Sequence, residues 1–338
     1  MYKMSVIRVG VIGCGVMGDY HARVYSELPG VKLLATMDIL EKRAKEVAKK
    51  FGAERWYTDY NELLARPDID AVSVTVPDHL HRDPAVAAAK AGKAVLLEKP
   101  IATTLKDADA IVNAVKRAGV QFLVGHIVRF DYNYVKAKEY VDRGSVGEPV
   151  SIWARRNNSI TSPRRLRAWL KETSPLLFLG VHDIDVMRWI IGKNVIRVYA
   201  EAESKVLKSH HVEDAVWSIF RFKGGAIGAL ENIWVLPSSM SFDFKLELVG
   251  TRGSVWINQP SNSFLYWGEE GPETISYYQP VIHGQVKGYL RDEIAHFINC
   301  VKGKEKPLVS AEDARAAVEV ALAIHKSINN GRPIKLPL

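Results

Sequence analysis

Over its first 125 positions the chain alternates short apolar runs with segments of helical spacing. "VIRVGVIG" is followed by the helical "DYHARVYSEL", then "KLLATMD" by the basic amphipathic "ILEKRAKEVAKKFG". "AVSVTVP" leads into "DPAVAAAKAGK", "AVLLEKP" into "LKDADAIVNAVKRAG", and "VQFLVGH" closes the series. Strands alternating with helices in this way predict βαβ units and a doubly wound parallel sheet. The strands are apolar throughout, as expected when both faces of such a sheet are covered.

After about residue 125 the period changes to two. "EPVSIWARR", "VIRVYAEAE", "AVWSIFRFKGGAIGALENIWV", "FDFKLELVGTRGSVWIN" and "FLYWGEE" alternate between Gly-rich turns, which predicts an open, mainly antiparallel sheet with one face covered. From 286 the pattern returns to helix. The fold class expected is therefore α/β: a dinucleotide-type Rossmann domain over 1–125, then an α+β domain over 126–338 whose last helix packs back on the first domain.

Composition narrows the class. The chain has 338 residues, 47% hydrophobic and 25% charged, which fits two globular domains and excludes disorder. No run reaches the length of a membrane span. The N-terminal apolar stretch is broken by Arg8 and glycines, and so lacks a leader pattern. Two distant cysteines, Cys14 and Cys300, argue against a disulfide framework; with the missing leader they lead to a cytoplasmic expectation. The net charge of +8 is partly gathered in "RRNNSITSPRRLRAWLK" at 155–171, where Arg155, Arg156, Arg164, Arg165, Arg167 and Lys171 stand without an acid. This stretch is read either as a solvated loop or as an anion-binding flap. Nucleic acid is not expected as a partner, since no recognition module is present.

The chemistry begins at Gly13-Cys14-Gly15-Val16-Met17-Gly18, which follows a predicted strand and opens a helix. Asp38 ends the second strand twenty residues beyond Gly18. Together they form a dinucleotide fingerprint. Gly13 permits the turn, Gly15 the approach of a pyrophosphate, and Gly18 close packing, while the helix N-terminus supplies amides and positive dipole. Asp38 suits ribose hydroxyls and repels a 2′-phosphate, and Ile39 and Leu40 follow it, so NAD is favoured and NADP is the second option. In "VPDHLH", His79 and His81 lack the acids or thiols of a metal site. Val76, Pro77 and His81 are read as a loop lining the cofactor, and no metal is expected.

The fingerprint, "VTVPDHLH", "LLEKPIA", "VGHIVRF", "GVHDIDVMRWIIG" and "LVSAEDARAAVEVALAIHKSINNGRPIKL" together resemble the glucose–fructose oxidoreductase and inositol dehydrogenase family, Gfo/Idh/MocA. The resemblance runs nearly end to end. It implies an NAD(P)-dependent oxidoreductase that moves a hydride between nicotinamide and a secondary alcohol of a sugar, a sugar derivative or a cyclitol. It also implies a homodimer or homotetramer built on the second sheet. Glu98 and Lys99 would both bind the cofactor, with Lys99 between nicotinamide and substrate through a cis bond to Pro100, and His182 would be its partner in proton transfer. A lysine partly desolvated at that position can lose its proton near neutral pH. Asp185, three residues on, is suited by spacing to orient the His182 ring. Arg129, Arg155 and Arg164 complete the expected substrate set with Lys99, Phe178, His182 and Asp185.

One position departs from the family. Four residues before His182 the usual aspartate is replaced by Phe178, so the Lys-Asp-His triad is incomplete. This disfavours a ring hydroxylated at every carbon, such as myo-inositol, and favours a deoxy carbon or an acetamido methyl. "GDYHARVYSELPGV" and "VGHIVRF" resemble the family's UDP-N-acetylglucosamine 3-dehydrogenases, and a nucleotide sugar would also use the basic flap. The alternative from another class is a dinucleotide-sensing regulator on the same fold.

Overall fold

The computed structural model describes residues 6–165, 169–240, 242–259, 265–268, 271–274 and 279–338. The elements run β1 (Ile7–Ile12), α1 (Val16–Glu27), β2 (Val31–Met37), α2 (Glu41–Phe51), β3 (Arg55–Tyr57), α3 (Tyr60–Leu64), β4 (Ala71–Val74), α4 (Arg82–Lys90), β5 (Ala94–Glu98), α5 (Leu105–Ala118) and β6 (Phe122–Gly125). There follow α6 (Tyr132–Asp142), β7 (Pro149–Asn157), α7 (Thr161–Arg165), α8 (Val181–Ile191), β8 (Val195–Glu203), β9 (Ala215–Phe222), β10 (Ile227–Ile233), β11 (Asp243–Gly250) and β12 (Ser254–Gln259). Two short hairpins, β13 (Leu265–Gly268) with β14 (Gly271–Thr274) and β15 (Val281–Ile282) with β16 (Gln285–Val286), precede α9 (Tyr289–Val301), α10 (Ala311–Asn330) and β17 (Ile334–Lys335).

The first sheet is wholly parallel in the order β3-β2-β1-β4-β5-β6, as the alternation of strand and helix predicts. Every residue of β4 and β5 is buried, which explains why the two strands are apolar but for Ser73 and Glu98. The order reverses between β1 and β4. A crevice therefore opens beyond their carboxyl ends, where such sheets bind ligands.

The second sheet is ordered β12-β11-β7-β10-β9-β8-β17, antiparallel except where β10 lies parallel to β7. Along β9, Val216, Ser218, Phe220 and Phe222 are buried while Trp217 and Ile219 are exposed, the period of two read from the sequence.

Two compact units result. One comprises residues 1–127 with 277–315, the other 128–276 with 316–338. α9 belongs with the first unit, where it packs against α1 and β5. The unit division falls within α10, so its first turn goes with the first unit and its remainder with the second.

Candidate active site

In the first unit the fingerprint glycines are required by geometry. Gly13 has a φ of +95°, and a Cβ there would meet the backbone of Thr75 and Val76 at 2.8 Å. On Gly18 a Cβ would lie 1.8 Å from the Gly13 carbonyl oxygen, so α1 closes onto the turn only with glycine. Gly15 is different: no atom lies within 4 Å of where its Cβ would be. Its missing side chain leaves open space at the N-terminus of α1, the feature a pyrophosphate needs.

Asp38 is buried at the end of β2. Its Oδ2 accepts the Cys14 amide at 2.9 Å and its Oδ1 the Leu40 amide at 2.9 Å, which fixes the carboxylate beside the turn. Val16, Ile39, Leu40 and Leu80 are exposed aliphatic residues along this same edge of the sheet. The Cys14 thiol is pushed up to about 12, chiefly by burial and then by Asp38, so Cys14 contributes its amide and not a reactive sulfur. An open glycine cradle, a fixed carboxylate and an apolar rim are together the donor set a dinucleotide requires, and the residues present fit NAD.

The loops after β4 and β5 are tied together. Val76 and Pro77 are half-buried, and His81 is buried with Nδ1 2.7 Å from the Pro100 carbonyl and Nε2 3.0 Å from that of Val76. Burial pulls this imidazole down toward the neutral form. His81 therefore links the Val76 loop to the Lys99–Pro100 turn, whose peptide bond is cis as the resemblance implied. Its neighbour His79 is half-buried, with Nδ1 3.7 Å from Asp78. Among the described residues no group of three or more His, Cys, Asp and Glu is arranged to hold a metal ion.

Behind Lys99 lies a buried polar cluster of which sequence reasoning named only Glu98, as a cofactor-binding residue. Glu98 Oε2 accepts the Lys99 amide at 3.2 Å, and Glu98 Oε1 lies 3.1 Å from His21 Nε2. His21 Nδ1 lies 2.9 Å from Ser73 Oγ, which in turn is 2.7 Å from the Tyr25 hydroxyl. Burial pushes the Glu98 carboxyl up, but His21, Lys99 and His81 outweigh it and hold the group below its ordinary range. The signal in the sequence was slight: a histidine on the packed face of α1, and a serine inside an otherwise apolar strand.

In the second unit, α8 carries His182, Asp183 and Asp185, all buried. Asp185 accepts a two-pronged bond from Arg129, Nε–Oδ2 2.8 Å and Nη2–Oδ1 2.6 Å, and Arg129 lies over the Trp189 ring. Asp183 does the same with Arg156, at 2.8 and 3.0 Å. Both are planar fork pairs, the strongest geometry available to buried charges. Arg155 is also engaged, to Glu231 at 2.9 Å and to Asp243 at 3.0 Å. Arg155 and Arg156 thus belong to internal ion pairs, while Arg164 is exposed. Arg167 and the side chain of Arg165 lie outside the described residues.

Phe178 lies in a π-helical turn, Leu176–Gly180, directly before α8. Half-buried, it tilts against Trp169 and Trp234 at ring distances of 6.2 and 6.3 Å and packs on Leu170, Leu179, Leu207 and Val212. Trp234 is held by its indole N–H, which donates to the Glu213 carbonyl at 2.7 Å. The start of the turn is held by Ser174, whose Oγ accepts the Leu177 amide at 3.1 Å and lies 2.9 Å from His325 Nε2. His325 Nδ1 faces the Glu213 carboxylate at 3.3 Å. Glu213 therefore supports the Phe178 segment from two sides.

Comparison with known proteins agrees with this geometry. A family model described as "Oxidoreductase family, NAD-binding Rossmann fold" matches residues 7–126, and one described as "GFO/IDH/MocA C-terminal domain" matches 134–256. The chain belongs to the GFO/IDH/MocA family. It is an NAD-dependent oxidoreductase acting on CH–OH groups. The myo-inositol 2-dehydrogenase of Thermotoga maritima is 32% identical over 98% of both chains. The scyllo-inositol 2-dehydrogenase (NAD(+)) of Bacillus subtilis is 30% identical over 98% of this chain and 96% of that one. The scyllo-inositol dehydrogenase structure from Lactobacillus casei, with NAD(H) and scyllo-inositol bound, shares the fold with a TM-score of 0.85, 22% identity and coverage of 98% and 99%. No described helix of this family member is long and apolar enough to cross a membrane.

Proposed function

We propose that the protein oxidises a secondary ring alcohol of a cyclitol or a closely related sugar, with NAD as hydride acceptor. The reading is carried by Lys99, which stands at the carboxyl end of β5 in a turn fixed by Glu98 and His81, in a chain similar over its whole length to inositol 2-dehydrogenases. Bound NAD supplies the hydride-accepting C4 of its nicotinamide. The chain supplies the rest. The open space at Gly15 and the first amides of α1 receive the pyrophosphate, and Asp38 receives the adenosine ribose. Lys99 takes the hydroxyl proton as the carbon loses its hydride, with His182 as the second proton-transfer group.

Phe178 refines the substrate. A phenyl ring neither takes a proton nor accepts a strong hydrogen bond, and a hydroxyl buried against it without a partner costs about 1–3 kcal/mol. A ring with a deoxy or N-acylated carbon on that side is preferred over myo-inositol. With Arg155 and Arg156 engaged by carboxylates, recognition of a substrate phosphate by the flap would fall to Arg164, Arg165, Arg167 and Lys171, and the similarity to inositol 2-dehydrogenases favours a neutral substrate. The oligomer we propose is a homodimer or homotetramer of this chain, supported by the outer face of the second sheet, where Trp217, Ile219, Ile227, Val249 and Trp256 are exposed. Two buried free thiols fit a reducing, cytoplasmic setting. Reduced-nicotinamide absorbance with inositol isomers, deoxy-inositols, N-acetylated sugars and UDP-sugars tests the substrate assignment. Turnover of UDP-sugars alone would overturn it.

A further inference from the structure

Glu293 has no part in the chemistry above, yet it is fully buried in α9, and neither carboxyl oxygen has a hydrogen-bond partner among the described residues. A buried acid of this kind calls for an explanation. The groups around it can be named element by element. α9 packs on α1 and β5, and the charges of Glu98 from β5 on Glu293 and of Glu293 on Tyr25 from α1 tie it to their cluster. His21 from α1 and Ser73 from β4 join that cluster by hydrogen bonds, with Lys99 following Glu98. The turn after β4 adds His81 and Asp78, which act on one another and, from His81, on Glu98. On α9 itself Arg291 is directed to Glu27 at 3.2 Å, Asp292 stands beside Arg291, and His296 pairs with Glu305.

One assignment of protons satisfies every link in the cluster. Tyr25 donates to Ser73, Ser73 to His21 Nδ1, His21 Nε2–H to Glu98 Oε1, and the Lys99 amide to Glu98 Oε2. It requires Glu98 to be ionised. A second carboxylate nearby would meet that charge with no donor to stabilise it, and two such groups hold a single charge between them. Burial and the charge on Glu98 together keep the Glu293 proton bound well above the usual carboxylate range.

We propose that Glu293 is a positioning residue for Lys99, acting through Glu98: as the neutral acid it leaves the Glu98–Lys99 turn with one negative charge, and on releasing its proton at higher pH it adds a second charge that holds the proton on Lys99. The proposal rests on the reading of Lys99 as proton acceptor. A negative charge added close to an ammonium raises its proton affinity by about one pH unit, tenfold in the deprotonated fraction.

The test compares the pH profiles of NAD-dependent oxidation by wild type, E293Q and K99M. The probe is myo-inositol, scyllo-inositol or whichever ring alcohol of the panel turns over fastest. E293Q, locked in the neutral form, is expected to gain turnover with rising pH about one pH unit earlier than wild type. It leads by up to about tenfold where Glu293 is ionised and Lys99 still holds its proton, and the two rates converge once Lys99 is deprotonated in both. Superimposable profiles, or loss of E293Q turnover at every pH, overturn the proposal. Infrared spectra of the protein without substrate give an independent readout, which for wild type needs no variant. A protonated carboxylic acid band is expected at neutral pH, fading as pH rises and missing from E293Q; its absence from wild type overturns the proposal. Full turnover by K99M would instead remove the reading of Lys99, while the infrared band would still decide the state of Glu293.

Discussion

At the scale of single residues, the site depends on groups whose neighbours fix their charge. Asp38 has both oxygens bound to backbone amides, so its carboxylate is held in one orientation beside the glycine turn, where we propose that it receives the ribose. Asp38→Ala removes the ribose hydrogen bonds and the repulsion of a 2′-phosphate together. The ratio of NADP to NAD affinity is therefore expected to rise, and competitive titration of the two cofactors measures it. For Lys99, a positioned proton-transfer group contributes about 10²–10⁴ in rate. Lys99→Met is expected to lose turnover on that scale while the NAD dissociation constant, read by fluorescence titration, stays close to that of wild type. Phe178→Asp restores an acceptor where the family usually has one and is expected to raise myo-inositol activity relative to deoxy substrates. An unchanged substrate ranking would remove Phe178 from the specificity argument.

At the scale of elements, the parallel strands and the fingerprint were legible because each residue's role is local. Gly13, Gly15 and Gly18 stand at fixed offsets in one turn, and the mainly apolar β4 and β5 announce burial on both faces. The buried cluster was not legible, because His21, Ser73, Glu98 and Glu293 come from four separate elements and meet only when α1 and α9 pack on the sheet. The basic flap misled for the same reason. Arg155 and Arg156 look unpaired in sequence, and their partners Glu231, Asp243 and Asp183 are supplied by β10, β11 and α8. Phe178 was found as a departure from a motif, but its support by Glu213 and His325 is a tertiary fact. His325→Gln is expected to leave NAD affinity unchanged and to raise KM for the ring alcohol, since it loosens the Ser174 end of the segment bearing Phe178.

At the scale of the whole molecule, Glu293 couples folding to pH. A carboxyl whose proton is held more tightly in the folded than in the unfolded chain favours folding less as pH rises between the two values. The unfolded chain releases that proton from about pH 4.5 upward. E293Q is therefore expected to melt increasingly above wild type as pH is raised from about 5 toward 8, and to melt close to it at the acid end. Thermal scans at a series of pH values check this, and a constant gap would contradict it. The outer face of the second sheet gives a separate prediction: Trp256→Glu is expected to shift the sedimentation equilibrium toward monomer. The central claim, oxidation of a ring alcohol through Lys99, is tested most directly by the rate of NAD reduction by wild type and K99M side by side. Inositols, deoxy-inositols and N-acetylated sugars serve as substrates. The account predicts turnover of at least one neutral ring alcohol by wild type and a loss of about a hundredfold or more in K99M. Wild-type inactivity across the neutral rings, or equal rates in both proteins, would contradict it.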